Sequence, residues 1–192
     1  MVNAIPQAPP PEAFVSFSAE VDVNTIEQLL AVMTHYANAG VPKVHLLLSS
    51  PGGSVMHGIN AYNVLRGFPF ILVTHNVGNV DSIGNAIFLA GHERYACEHS
   101  TFMFHGVAYN GGNQIYDPKL AQERLDGLNA DQARIGSIIV DRTNLSTETV
   151  DGFFNNAKTL TAEDALKGGI VSEIRPVNIP FGSPITSLVI NR

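Results

Sequence analysis

Residues 70–91 read FILVTHNVGNVDSIGNAIFLAG, and the two halves of this stretch follow different periodicities. Phe70, Ile71, Leu72 and Val73 make a short, β-branched apolar run that predicts a buried strand. Gly78 and Asn79 break the run, and from Ser82 onward Ile83, Ala86, Ile87 and Leu89 recur as in a buried helix. Ser82 therefore falls on a strand–turn–helix corner, where free backbone N–H groups and the positive end of the helix dipole gather. A serine so placed has donors beside its Oγ that can hold an oxyanion. Gly84, two residues on, lets another backbone approach closely. The simpler reading is an N-cap serine, common at such corners, and a corner serine has no chemistry until a base is found.

Upstream, the same plan is already present. Residues 13–18 are strand-like, and Asn24 with Glu27 three residues on predicts a capped helix. Ile26, Leu29, Leu30, Met33 and Ala37 mark its buried face, and Gly40 and Pro42 end it. Residues 44–48 form a second buried strand, so strand, helix and strand make a βαβ unit in a largely parallel α/β sheet. The turn Ser49-Ser50-Pro51-Gly52-Gly53-Ser54 follows the carboxyl end of that strand, where ligands bind in such sheets. Its paired glycines leave backbone N–H groups unshielded, although a PGG turn by itself is most simply an ordinary connection. A helix over residues 55–66 then leads into the 70–91 unit, so the two turns face each other across neighbouring strands.

Downstream, residues 94–97 and 101–104 are short strand-like runs, and the second delivers His105 to a strand end before a glycine-rich loop. Asp117 and Pro118 open a long helix to about residue 141, with Ala121, Leu125, Leu128, Ile135, Ile138 and Ile139 at helical spacing. Ser146 starts a shorter helix, Thr161 and Asp164 begin another, and Gly168-Gly169 close it before a strand at Ile170–Val171. Residues 1–12, with four prolines, read as a flexible tail; residues 13–174 form one domain, and residues 175–192 a C-terminal extension.

Composition narrows the function. The 192 residues are 45% hydrophobic and only 15% charged, which favours buried subunit contacts. A net charge of −6 argues against nucleic acid as a partner. No run reaches the ~18 apolar residues of a membrane span. Cys97 is the single cysteine, so no internal disulfide forms, and a cytoplasmic location is expected. The other six histidines show no metal-ligand spacing, so no metal site and no cofactor are expected.

Three motifs in this order, SSPGGSV, GNVDSIGNAIFLAG and STFMFHG, resemble the Clp protease proteolytic subunit family, serine peptidases of the crotonase-like fold. The closing segment TAEDALKGGIVSEI is also similar to the family pattern. The resemblance implies repeated βαβ units with a protruding handle helix, here residues 118–141. It implies Ser82 as nucleophile, His105 as general base, and the backbone N–H groups of Gly52 and Ile83 as oxyanion hole. It further implies homo-oligomeric rings enclosing a chamber, hydrolysis of peptides or unfolded proteins, and a separate ATP-driven unfoldase as feeder.

The sequence departs from that pattern at several places. Ala157 occupies the position of the family's catalytic aspartate, which leaves Asn155, Asn156, Asp81 or no side chain behind His105. Asp81 replaces a small residue beside the nucleophile, and the short proline-rich segment before the first strand makes weak or absent unfoldase docking the expectation. Two other functions stay open. One is an inactive ring subunit with a structural role, favoured by Ala157 and opposed by Ser82, His105 and the PGG turn. The other is a crotonase-type acyl-CoA enzyme, which fits less well because neither turn offers a glutamate.

Overall fold

Strands β1 (Ala13–Ser18), β2 (Lys43–Ser50) and β3 (Ile71–Asp81) lie side by side in parallel and form the centre of an eight-stranded sheet. The structure is a computed structural model describing residues 8–112 and 115–188. Val15, Phe17, Leu46, Leu48 and Leu72 are fully buried, as expected of strands covered by crossover helices. Those helices are α1 (Val23–Asn38) between β1 and β2, and α2 (Val55–Gly67) between β2 and β3. The predicted βαβ plan is therefore present.

β3 is long enough to serve two neighbours in succession. Its residues Val73 to Asn76 pair with β4 (Glu93–Ala96), and Asn79 to Asp81 pair with β5 (Thr101–Phe104). Gly78 and Asn79 do not end the strand, contrary to the expectation from sequence. A register shift between Leu48 and Ser50 absorbs the extra β3 residues as a bulge, and the Asn76 side chain accepts from the Gly78 N–H at 3.1 Å. The helix after the Ser82 corner, α3 (Gly84–Leu89), is only six residues long but wholly buried.

The handle helix is α4 (Pro118–Arg142), capped by Asp117, whose carboxylate accepts from the Leu120 N–H at 2.7 Å. Only Ile135 and Ile139 on it are buried, so the first half stands out from the core. α5 (Thr147–Asn156) follows, then β6 (Lys158–Thr161), which pairs antiparallel with β5, a strand that the sequence pattern did not announce. α6 (Ala162–Lys167) leads to β7 (Glu173–Ile174), paired with β4. Ile170 and Val171 are not a strand. They are buried turn residues, with the Ile170 N–H bonded to Ala165 O at 2.9 Å, so their apolar character reflects burial without pairing.

Both ends of the described chain are tied in. Glu12 reaches His45 at 3.1 Å, while residues 1–7 of the expected tail lie outside the described residues. Within the C-terminal extension, β8 (Ile185–Ser187) pairs in parallel with β1, and the Tyr36 hydroxyl lies 2.8 Å from Thr186 Oγ1. Val189 and Ile190 fall outside the described residues. The cap of α1 is Asp22, not Asn24. Asp22 and Thr25 exchange reciprocal side-chain bonds of 2.9 and 3.0 Å, which leaves Asn24 inside the helix.

Candidate active site

Ser82 follows the last residue of β3 with φ at +54°, a left-handed conformation that costs an L-residue about 1–2 kcal/mol. Three hydrogen bonds to its backbone groups, one of them from a side chain, hold it there. Its N–H donates to Met103 O at 2.8 Å, and its carbonyl accepts from the Asn85 N–H at 3.1 Å and from Asn85 Nδ2 at 3.0 Å. Such a sharp strand-to-helix turn exposes the side chain instead of directing it into the sheet.

The PGG turn packs directly against this corner. Gly52 has φ +87°, and a Cβ there would lie 2.6 Å from Ser82 Cβ and 2.8 Å from Asp81 O, so only glycine fits. Gly53, at φ +144°, is anchored through its neighbours, by Val21 N–H to Gly52 O and Ser54 N–H to Val21 O, each 2.7 Å. The Gly52 N–H is already used, donating to Ser50 Oγ at 3.1 Å. By contrast, the N–H groups of Gly53 and Ile83 donate to no partner among the described residues. Gly53, not Gly52, borders the cavity beside Ser82. The sequence expectation named Gly52; the structure engages that N–H with Ser50 Oγ and fixes the loop around Gly53 through its bonds to Val21.

That cavity holds about 90 Å³ and is bordered by Ser82, Ile83, Gly53 and His105, with Ile135, Phe154, Phe104 and Val107 as apolar walls. Ser82 and His105, predicted from separate motifs, are thus brought to one small cavity, with no direct hydrogen bond between them among the described residues. In sites without substrate such bonds are often long and tighten only in the complex. Ile135 comes from α4 and Phe154 from α5, and neither was singled out as a site residue because each reads as ordinary helix core. A larger cleft of about 490 Å³ lies between α4 and α5, but no histidine borders it.

His105 Nδ1 lies 2.7 Å from Gly106 O. A carbonyl oxygen only accepts, so the contact is a hydrogen bond when Nδ1 carries the proton, which leaves Nε2 with a free lone pair. None of the alternatives bonds to His105 among the described residues. Asn79 Nδ2 donates to the Asp81 carboxylate at 2.7 Å, and Asn156 Nδ2 donates to Gly152 O at 3.0 Å. The β5–β6 register runs from Thr101–Thr161 to Phe104–Lys158, so Ala157, at φ +48°, falls opposite His105 by continuation.

Comparison with known proteins agrees with this architecture. The chain is 25% identical over 166 residues to ATP-dependent Clp protease proteolytic subunit 2 of Corynebacterium efficiens, covering 85% of this chain and 82% of the relative. It shares its fold with a solved mutant of ClpP1 from Listeria monocytogenes, with a TM-score of 0.77 and 20% identity over 84% of this chain and 90% of the other. The family model for Clp protease matches residues 10–177, which takes in every strand from β1 to β7 and both turns of the cavity, and the chain belongs to the Clp protease family.

Proposed function

We propose that this protein is a serine-type endopeptidase that hydrolyses peptide bonds through Ser82 and His105. The observation that carries the reading is that Ser82, His105, Gly53 and Ile83 border one small cavity, with the Gly53 and Ile83 N–H groups donating to no partner among the described residues. Ser82 Oγ attacks the scissile carbonyl while His105 Nε2 takes its proton and later returns it to the leaving amine. The developing oxyanion is met by the Ile83 and Gly53 N–H groups, at the corner where donors are fixed before substrate arrives. Gly106 O holds the Nδ1–H tautomer but brings no full negative charge to the imidazolium, so turnover is slow compared with a complete triad. The apolar walls suit an uncharged side chain next to the scissile bond.

A homo-oligomeric ring belongs to this reading, supported by family membership and by the relative's name, while docking of a separate ATP-driven unfoldase is expected to be weak or absent because the proline-rich segment before β1 is short. Among the described residues no helix is long and apolar enough to cross a membrane.

Reaction with a serine-directed fluorophosphonate, read by mass spectrometry, tests the reading. Ser82 is expected to carry the label in the wild type, with labelling lost in Ser82→Ala and strongly slowed in His105→Ala. Wild-type protein that labels no faster than Ser82→Ala would leave the inactive ring subunit as the better account.

A further inference from the structure

Where β3 ends at Asp81 and the chain turns away from the sheet, one side chain carries the connection on. Asn85, on α3 and 1% exposed, donates from Nδ2 to two carbonyl oxygens, Ser82 O at 3.0 Å and Met103 O at 2.8 Å. Met103 O also accepts the Ser82 N–H at 2.8 Å. Both peptide groups of Ser82 are therefore tied to one point on β5, and His105 lies two residues beyond that point. The last backbone rung between β3 and β5 pairs Asp81 with Met103, and the Asn85 amide adds a further rung where the backbone has left the sheet.

The amide's other end argues that these donors matter. Asn85 Oδ1 is buried with no hydrogen-bond partner among the described residues. Turning the amide over would set that oxygen against two carbonyl oxygens, so the present orientation is the only one that satisfies both. A residue that merely filled this space would be apolar and would leave no orphaned acceptor. The position accepts that cost while holding a serine in a left-handed conformation, which survives only where its surroundings over-determine it.

We infer that Asn85 is a positioning residue that fixes the Ser82 nucleophile relative to the His105 base by bridging the Ser82 and Met103 carbonyls. The inference rests on the serine-peptidase reading above. It assigns to Asn85 the alignment of two groups across two strands, which leaves ground-state binding untouched. Displacing a reacting group by about 1 Å costs up to ~100-fold in rate.

The test compares wild type, Asn85→Ala and Asn85→Ser, each checked for folding by circular dichroism, in small-peptide hydrolysis and fluorophosphonate labelling. Asn85→Ala is expected to lower kcat and the labelling rate by about 10- to 100-fold with KM changed less than about twofold. Asn85→Ser keeps a hydroxyl that reaches the carbonyl three residues back but not Met103, so an intermediate rate is expected. It also serves if the alanine variant does not fold. Repeating the substitutions in His105→Ala separates alignment from general loosening. Without the base, the Asn85 effect on residual labelling should shrink to about twofold or less. Equal losses with and without His105, a rise in KM alone, or a serine variant as fast as wild type would overturn the inference. Wild type that fails to label at Ser82 would instead remove the underlying reading, and the inference with it.

Discussion

At the scale of single residues, the position behind His105 is where this chain differs most in chemistry from a complete triad. A buried carboxylate both fixes the histidine tautomer and stabilises the imidazolium as it forms, and losing its charge costs about 10⁴ in kcat, or ~5 kcal/mol. In the proposed mechanism Gly106 O, 2.7 Å from His105 Nδ1, would perform the first task and only part of the second. Ala157→Asp should therefore raise peptide hydrolysis, by about tenfold or more, with Ser82→Ala still inactive. Steady-state kinetics on a short fluorogenic peptide decide it. An unchanged kcat in Ala157→Asp, with a wild type already turning over at ordinary protease rates, would mean that the carbonyl suffices.

At the scale of elements, a polar chain crosses the sheet face at the opposite end from the cavity. Glu12 Oε2, His45 and His75 are linked at 3.1 and 2.9 Å, from the entry of β1 across β2 to β3. With Glu12 accepting from His45 Nε2–H, a neutral His45 accepts at Nδ1 from His75 Nε2–H, which leaves His75 Nδ1 buried and without a donor among the described residues. The rings also stack, Phe14 on His45 at 4.4 Å and His45 on His75 at 5.2 Å. Burial, with the nearby His45 and Arg175, pushes His75 down from 6.5 to about 4. Burial likewise lowers His45, against the opposing pull of Glu12. A histidine whose folded pKa is depressed stabilises the fold fully above its unfolded pKa and loses that contribution as pH falls towards the folded value. Stability should thus drop by up to about 3 kcal/mol between pH 6.5 and pH 4 on account of His75. Urea unfolding at several pH values measures the slope. His75→Gln, which keeps an N–H towards His45 without a titrating ring, should flatten it; an equally steep slope in that variant would place the effect elsewhere.

At the scale of the whole molecule, the described surface keeps apolar side chains in water that a chain of this composition would be expected to cover. Met56 and Val64 lie exposed on α2, Leu125 is half exposed on the outer part of α4, and Phe181 is fully exposed in the C-terminal extension. Only two residues of the 25-residue α4 are buried, so little of that helix is stabilised within its own subunit. The expectation is a homo-oligomer. Light scattering at micromolar concentration should give a multiple of 20.6 kDa, and truncation or charge substitution at Leu125 should shift it downward. A single species of 20.6 kDa would count against a ring and against a closed chamber.

Much of this was legible before any coordinates. The apolar runs at 13–18, 44–48 and 101–104, the Asp117-Pro118 start of α4 and the Ser146 and Thr161 caps are local signals, because strand burial and helix capping depend on residues within a few positions. The motifs carrying Ser82 and His105 were likewise readable, since a corner serine and a strand-end histidine are placed by their own short segments. What only the tertiary structure decided are relations between segments distant in sequence. The PGG turn is bonded to Val21 and the Gly52 N–H to Ser50 Oγ, Asn85 bridges the Ser82 and Met103 carbonyls, and helix residues Ile135 and Phe154 become walls of the cavity. Hydrophobic periodicity reports which face is buried but not against what, and the pointing of an N–H or a carbonyl is settled only when the strands have packed.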